Sequence, residues 1–195
     1  MDRANHRKLS YEELRARSHS IESIRKSPRF PVYVILENIR SLQNVGSIFR
    51  TADGLRITQL IITGYTGRPP RKEIEKAALG AVDSVPWVSY KSTQEAISEL
   101  KQNDISIVAL EQAVDSVDFQ TFQYTFPTAV VIGNEYDGIE QETLDLCDHC
   151  VNIPMFGVKQ SLNVGTALGV LGYEMYRQNK LNGNNLQIHI GGNDA

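Results

Sequence analysis

Short apolar runs alternate with amphipathic segments of helical period along most of the chain. The apolar runs predict strands, and the segments with apolar residues every three or four positions predict helices. The predicted strands cover residues 32–36, 59–63, 105–110, 128–132 and 150–153, with a short further piece at 85–88. The predicted helices cover residues 44–55, 74–82, 93–101, 141–146 and 163–180. This alternation is typical of an α/β fold whose parallel sheet is covered by helices on both faces, giving α/β/α layers.

The beginning of the chain follows a different pattern. Residues 10–26 predict one amphipathic helix, in which Ser10 and Glu13 have the spacing of a capping box. Its apolar stripe is narrow and includes Leu14 and Ile21, while most other positions are polar or basic. A segment with two prolines then ends the helix. We interpret this region as an arm attached to the α/β domain, whose function is either a nucleic-acid contact or a dimer clasp.

The pattern divides the chain into three parts. Residues 1–30 form a basic N-terminal helical extension, residues 31–180 form the α/β domain, and residues 181–195 form a flexible tail rich in Asn and Gly. A chain of 195 residues is long enough for one domain of this kind. No apolar run approaches the roughly 20 residues of a membrane helix, and the N-terminus lacks an apolar signal region. We therefore expect a cytoplasmic protein.

The net charge of −3 hides an uneven distribution. Residues 1–72 carry 14 of the 20 Lys and Arg residues but only 6 of the 23 Asp and Glu residues. A basic N-terminal third on an acidic body indicates that one face meets a polyanion. The alternative is that these charges are ordinary solvated surface.

The two cysteines form one C-x-x-C motif, at Cys147 and Cys150. Such a pair is typical of a redox site or of half a zinc site. The chain has no second C-x-x-C motif to complete a metal site. The pair also follows a predicted helix, whereas a redox pair needs a helix N-terminus to stabilise its thiolate. We therefore expect the two residues to have a packing role and expect no metal.

Candidate chemistry lies where the predicted strands end, because open parallel sheets bind ligands at the carboxyl ends of their strands. Polar residues and glycines follow the strands at residues 37–46, 64–67 and 133–138. The segment 153–164 joins the last strand to the last helix, and it carries Pro154, Gly157, Ser161 and Asn163. Such a strand, loop and helix start can present backbone N–H groups to a ligand.

Several common sites are missing from the sequence. It has no P-loop, no G-x-G-x-x-G after the first strand and no G-x-S-x-G. The four histidines, His6, His19, His149 and His189, lie away from the predicted strand ends. Histidine acid–base chemistry and a histidine metal site are therefore disfavoured.

Three segments in this order resemble the motifs of the SpoU/TrmH family of RNA ribose 2′-O-methyltransferases. Residues 44–52 resemble motif 1, residues 132–139 resemble motif 2, and residues 153–164 resemble motif 3. The resemblance spans roughly residues 32–178. It implies the SPOUT fold with a C-terminal deep trefoil knot, S-adenosylmethionine (SAM) as the methyl donor, and a homodimer.

The resemblance also assigns roles to individual residues. The motif positions of the family's essential side chains match Asn44, Arg50, Glu135, Ser161 and Asn163. Its cofactor contacts, which are largely made by backbone, match Leu110, Glu111, Ile132, Gly133, Ile153, Met155 and Leu162. RNA contacts would come from Arg50 and from the basic arm, through Arg3, Arg7, Lys8, Arg15 and Arg17.

The chemistry of a SAM-dependent methyl transfer fits these residues. The 2′-hydroxyl is a weak nucleophile that must be aligned and deprotonated. The pKa of an arginine exceeds about 12, so we expect Arg50 to organise the phosphate and the hydroxyl, with the RNA phosphate taking the proton. The family's usual account, in which Arg50 itself is the base, is the variant. Asn44 and Asn163 would fix Arg50 and the loop, and Glu135 would hold the pocket through hydrogen bonds.

We expect a methyltransferase that acts on structured RNA. A tRNA enzyme is favoured because the sequence shows no appended RNA-binding domain, and an rRNA enzyme is the alternative. A second hypothesis is a catalytically silent, knotted RNA-binding protein. A third is a general α/β nucleotide-binding module, which the missing phosphate loops disfavour.

Overall fold

A sheet of seven parallel strands lies at the centre of the computed structural model, which describes residues 7–183. The strands are β1 (Phe30–Glu37), β2 (Ile57–Thr63), β3 (Trp87–Ser89), β4 (Ser106–Leu110), β5 (Val117–Asp118), β6 (Thr128–Ile132) and β7 (His149–Asn152). The helices are α1 (Tyr11–Ala16), α2 (Ile21–Lys26), α3 (Leu42–Leu55), α4 (Lys72–Ala78), α5 (Ala81–Ser84), α6 (Thr93–Gln102), α7 (Gln141–Leu144) and α8 (Val164–Leu181). The predicted α/β class is confirmed.

The order of the strands creates a topological switch in the middle of the sheet. The order is β3-β2-β1-β6-β4-β7-β5, and every pairing is parallel. The chain first builds outward from β1 through β2 to β3, and it later inserts β6 between β1 and β4. The loops that leave β1 and β6 therefore turn to opposite sides, which opens a crevice at their carboxyl ends.

Helices cover both faces of the sheet, as the sequence pattern predicts. On one face, α3 and α8 bury residues such as Phe49, Leu171 and Met175 in the larger core. On the other face, α6 buries Ile97 and Leu100 against the strands. Strand β6 is buried at all five positions, which explains why the central strands have continuous apolar sequences.

The predicted helix over residues 10–26 is wrong, because the structure has two short helices there. The capping box at Ser10 begins α1, but a second N-cap at Ser20 begins α2. Neither helix contains a buried residue, and 51% of Leu14 and 46% of Ile21 are exposed. Because no packing face joins the two segments, local caps decide where each one begins.

Other boundaries also differ from the prediction. The predicted helix over residues 74–82 is divided into α4 and α5 by Leu79 and Gly80, both of which have positive φ angles. The sequence pattern also misses β5, which is too short to give a periodic signal. The knot implied by the resemblance stays a prediction, as do the domain boundaries, and residues 184–195 of the predicted tail lie outside the described residues.

The two cysteines lie at the junction between α7 and β7. The sulfur of Cys147 contacts the carbonyl oxygen of Thr143, and both cysteines pack against the core on the α6 face. Burial raises the pKa of the Cys147 thiol to about 12, so this thiol is a poor nucleophile. Within residues 7–183, no group of three or more His, Cys, Asp and Glu side chains could hold a metal ion. No helix in the same range could cross a membrane.

A glycine allows the close packing of α3 on α4. A Cβ atom at Gly46 would lie 2.6 Å from the carbonyl oxygen of Ile74 and 2.6 Å from the Cβ of Ala77. Gly54, later in the same helix, is exposed, and a Cβ there would have only an ordinary contact of 3.6 Å with the hydroxyl of Tyr173. The two positions therefore form a matched pair for testing this packing.

We predict that Gly46→Ala lowers the free energy of unfolding by about 1–3 kcal/mol, because α4 must move away. Gly54→Ala should instead raise it by up to about 1 kcal/mol, because alanine favours the helix and has space. Urea unfolding followed by circular dichroism measures both changes. Equal stability of the Gly46→Ala variant and the parent would contradict this account of the helix packing.

Candidate functional site

A cleft of about 930 Å³ lies at the carboxyl ends of β4, β6 and β7, beside the first turns of α3 and α8. All seven residues predicted to contact the cofactor line it: Leu110, Glu111, Ile132, Gly133, Ile153, Met155 and Leu162. Four of the five predicted catalytic residues also line it: Asn44, Glu135, Ser161 and Asn163. The three motif segments, which are far apart in sequence, therefore meet at one site.

The carboxylate of Glu135 connects motif 2 to the start of α3. It accepts hydrogen bonds from the backbone N–H groups of Arg40 and Ser41, each at 3.0 Å, and from the side-chain amide of Asn44 at 2.8 Å. Burial alone would raise the pKa of Glu135, but these donors outweigh it and hold the pKa below its usual value. Glu135 is therefore an ionised acceptor that fixes the loop between β1 and α3.

Asn44 and Asn163 continue this connection into motif 3. The side-chain amide of Asn163 donates to the side-chain oxygen of Asn44 at 2.9 Å. The oxygen of Asn163 accepts from the N–H groups of Gly165 and Thr166, so Asn163 is the N-cap of α8. Glu135, Asn44 and Asn163 thus form one continuous chain of hydrogen bonds across all three motif segments.

Arg50 lies outside the cleft. It is exposed on α3, six residues after Asn44, which corresponds to a rise of about 9 Å along the helix. Asn44 and Asn163 were expected to fix Arg50, but their amides have other partners. The amide of Asn163 donates to Asn44, and the amide of Asn44 donates to Glu135. Within a single chain, the predicted guanidinium and the predicted cofactor cleft are therefore separate.

The turn of motif 2 depends on a very close backbone contact. A Cβ atom at Gly133 would lie 2.3 Å from the carbonyl carbon of Gly138, so only glycine fits there. The carboxylate of Glu111 accepts from the N–H groups of Gln112 at 2.8 Å and Ile139 at 2.9 Å. The sequence predicts a backbone role for Glu111 at the cofactor, and the structure adds a side-chain role in holding this turn.

The sequence analysis missed Asn134, which is buried between the strand ends. Its side-chain oxygen accepts from the N–H groups of Tyr136 at 2.8 Å and Asp137 at 3.1 Å. Its amide donates to the carbonyl oxygen of Asn38 and to the hydroxyl of Tyr65. Its place within motif 2, two residues after a buried strand, is evident from the sequence but does not reveal these partners.

The outer wall of the cleft is the motif 3 loop between β7 and α8. Ser161 is exposed on this loop, and the Gln112 amide donates to the carbonyl oxygen of Gln160. Phe156 and Val158 are both 98% exposed. The loop thus presents apolar side chains to the outside of the chain while its other side borders the cleft.

The basic arm begins at the opposite end of the sheet. Arg29 donates to the carbonyl oxygens of Ile57 at 3.1 Å and Ser84 at 2.8 Å, next to the first residue of β1. The eight residues of β1 therefore separate the base of the arm from the cleft by about 26 Å. The four described residues of the arm that are predicted to contact RNA are all exposed: Arg7, Lys8, Arg15 and Arg17. Arg3 lies outside the described residues.

A family model described as the SpoU rRNA Methylase family matches residues 31–173. The chain is 32% identical over 167 residues to a tRNA (guanosine(18)-2′-O)-methyltransferase of Thermus thermophilus, covering 86% of this chain and 85% of that protein. It is 32% identical over 158 residues to a Staphylococcus epidermidis protein assigned to the TrmH family of tRNA/rRNA methyltransferases. That match covers 81% of this chain but only 63% of the relative.

Solved structures of the same kind share the fold. The A. aeolicus TrmH/SpoU tRNA modifying enzyme superposes with a TM-score of 0.76 at 29% identity, over 84% of both chains. The SpoU methyltransferase AviRb from Streptomyces viridochromogenes, in complex with the cofactor AdoMet, gives 0.71 at 31% identity over 76% of this chain and 57% of that chain. Because the family model covers most of the sequence, the chain belongs to the SpoU rRNA methylase family.

Proposed function

We propose that this protein is a SAM-dependent methyltransferase that methylates the ribose 2′-hydroxyl of a structured RNA, with tRNA as the favoured substrate. The observation that carries the proposal is the hydrogen-bond chain from Glu135 through Asn44 to Asn163. This chain brings the three motif segments of an RNA methyltransferase family to one cleft. The relatives named as tRNA methyltransferases support tRNA, and those named for both RNAs keep rRNA as the alternative.

The cleft fits a cofactor of the size of SAM. Its volume of about 930 Å³ lies within the range of small-molecule sites. Its lining combines apolar side chains such as Leu110 and Ile132 with backbone groups beside Gly133, which suits an adenosine and an amino acid. In SAM the methyl group is bonded to a positively charged sulfur, and the thioether that remains after the transfer is the leaving group. The transfer therefore needs no metal.

In this proposal the residues of the chain position the RNA and organise the proton transfer. The ionised Glu135 and the two asparagines hold the walls of the cleft and do not touch the reacting atoms. Arg50 binds the substrate phosphate and orients the 2′-hydroxyl, and the phosphate takes the proton. The variant, in which Arg50 itself takes the proton, requires the RNA and the protein around it to favour a neutral guanidine.

The position of Arg50 supports a homodimer in which each site uses two chains. Arg50 lies one turn before Gly54 on α3, and Gly54 lies next to the hydroxyl of Tyr173 on α8. Tyr173 and Val170 are exposed there, as are Phe156 and Val158 of the motif 3 loop. A second copy packed against this apolar surface would bury it and would bring Arg50 to the partner's cleft.

A cytoplasmic location is part of the same proposal. Cys147 and Cys150 are both free thiols, as expected in a reducing compartment. The RNA substrates that the relatives' names mention are present in that compartment.

The direct test is incubation of the protein with unmodified tRNA and isotope-labelled SAM. We expect label in a 2′-O-methyl nucleoside after complete digestion of the RNA, detected by mass spectrometry. Labelled base and unlabelled ribose would contradict the reaction. SAM binding without any transfer to tRNA or rRNA would instead support the catalytically silent RNA-binding protein.

We predict that Arg50→Ala lowers the rate of methylation by about 100- to 1,000-fold, because it removes a charge that acts in the transition state. The affinity for SAM, measured by calorimetry, should change little because, in this proposal, Arg50 contacts the RNA and does not hold the cofactor. Arg177→Ala, which removes an exposed arginine paired with Glu174, is the matched control and should retain activity. An Arg50→Ala variant as active as the parent would reject this role.

Mixing two inactive variants tests whether Arg50 acts across the dimer. Arg50→Ala and Asn163→Ala chains, unfolded together and refolded, should regain about a quarter of the parent activity, because half of the dimers are mixed and each has one intact site. If Arg50 acted within its own chain, every site in the mixture would stay inactive. An inactive mixture that contains mixed dimers would therefore contradict the shared site.

We also predict a pH-dependent stabilisation by Glu135. Glu135→Gln should lower the free energy of unfolding by about 1–2 kcal/mol at neutral pH, because its amide nitrogen would face N–H donors. The folded-state pKa is lowered, so this stabilisation is complete above the unfolded-state pKa and is lost as pH falls through the folded-state value. Urea unfolding should show the difference from the parent shrinking in acid.

The exposed Glu142 provides the control for this experiment. Glu142→Gln makes the same chemical change without removing a described hydrogen bond, and we expect little loss of stability at any pH. A difference between Glu135→Gln and the parent that stayed constant into acid would show that the carboxylate charge is not what holds the turn.

A further inference from the structure

We propose that the substrate RNA docks on the rim formed by the loops after β1, β2 and β6, where Tyr136 stacks on an unpaired base and three arginines bind the flanking phosphates. The docking rim consists of Arg40, Tyr65, Arg68, Arg71 and Tyr136. This inference rests on the proposed function and names the residues that hold its substrate. It also places the RNA contacts at the opposite end of the sheet from the base of the basic arm.

Tyr136 has an exposed aromatic ring on a backbone turn that is fixed by hydrogen bonds. It is 81% exposed, yet its backbone N–H is bound by the buried side chain of Asn134 within a turn closed by two bonds between Asn134 and Gly138. The guanidinium carbon of Arg40 lies 5.4 Å from the centre of the ring. Proteins recognise unpaired RNA bases by stacking them on such rings and guanidinium planes.

Tyr136 also lies at the edge of the cofactor cleft, together with Arg40. A base stacked on this ring belongs to a nucleotide close to the one whose ribose enters the cleft. An enzyme that must align a ribose hydroxyl benefits from holding the neighbouring base, because small errors in position slow the reaction strongly. The ring therefore lies where a positioning residue for the substrate is needed.

A second cavity of about 220 Å³ lies beyond Tyr136, at the carboxyl ends of β2 and β3. Its lining includes Arg68, Arg71, Ser89 and Tyr65, and it contains no carboxylate. Arg68 donates to the hydroxyl of Ser89 at 3.1 Å, which directs its guanidinium to the cavity wall. Two arginines beside a hydroxyl in a concave site match the chemistry of a phosphate group.

Asn134 joins this cavity to the cofactor cleft. Its amide donates to the hydroxyl of Tyr65 at 2.9 Å, while its oxygen holds the turn that carries Tyr136. This hydrogen bond connects the loop after β2 to the loop after β6 and so restricts the spacing between the ring and the arginines. Such a preformed spacing suits a continuous strand that spans both cavities.

The arginines of the docking rim are available to an anion. Among residues 7–183, the ion pairs involve Arg7, Lys26, Lys101 and Arg177, and none involves the rim arginines. In the arm, Arg7 is bound by both oxygens of the Glu13 carboxylate, whereas Lys8, Arg15 and Arg17 are, like the rim arginines, absent from these pairs. The rim differs from the arm in its place, because Arg40 lines the cleft and Arg68 and Arg71 line the neighbouring cavity.

Two kinds of variant separate stacking from charge in this rim. Fluorescence anisotropy measures the binding of each variant to an unmodified tRNA transcript. Tyr136→Ala should weaken this binding about 5- to 150-fold, and Tyr136→Phe should bind like the parent. The dependence of the binding constant on salt should not change in either variant. Arg68→Ala with Arg71→Ala should instead reduce the slope of log K against log salt by about 1.4–1.8, because two phosphate contacts are lost.

Matched controls decide whether these effects belong to the rim. Lys76→Ala with Lys180→Ala removes the same charge from exposed positions elsewhere and should leave the slope nearly unchanged. Arg15→Ala with Arg17→Ala tests the arm in the same way. SAM affinity and thermal unfolding, measured for each variant, show that the cleft and the fold are intact.

Rim variants that bind tRNA like the parent would overturn the proposal. A loss of slope confined to the Arg15 and Arg17 variant, or shared equally by the Lys76 and Lys180 variant, would overturn it as well. These failures are distinct from failure of the proposed function. A parent protein that binds tRNA through the rim but transfers no methyl group contradicts the methyltransferase alone.

Discussion

The structure of the site depends on one carboxylate that collects N–H donors from a distant segment. Glu135 follows β6, and the donors come from the loop after β1, which lies beside β6 in the sheet. A charged acceptor with three donors gives stronger bonds than neutral pairs, and it fixes both loops at once. The start of α3 and, through Asn44, the start of α8 take their positions from this contact.

Much of the fold could be predicted because parallel strands buried on both faces have continuous apolar sequences. The central strands, such as β6, are therefore evident from the sequence, whereas β5 is too short to be recognised. The strand order could not be predicted, since nothing local to residues 128–132 states that β6 lies between β1 and β4. Helices without a buried face, such as α1 and α2, were misjudged because only local caps define them.

The site likewise has residues that the sequence identifies and features that it does not reveal. The resemblance names Glu135, Asn44 and Asn163, and their hydrogen bonds connect the motifs in the structure. It gives no reason to single out Asn134, because the value of that residue lies in partners from three different loops. It also does not reveal that Arg50 lies outside the cleft of its own chain, since a motif match contains no distances between side chains.

The turn at Asn134 has a consequence for how such proteins diverge. Its hydrogen bonds use the backbone N–H groups of residues 136 and 137, so these bonds can form with any residue except proline at those positions. Replacing Tyr136 changes the surface next to the cleft while the cleft walls and the core stay as they are. Evolution can therefore vary this single position under weak structural constraint, which gives the scaffold a simple route to new preferences among nucleic acids.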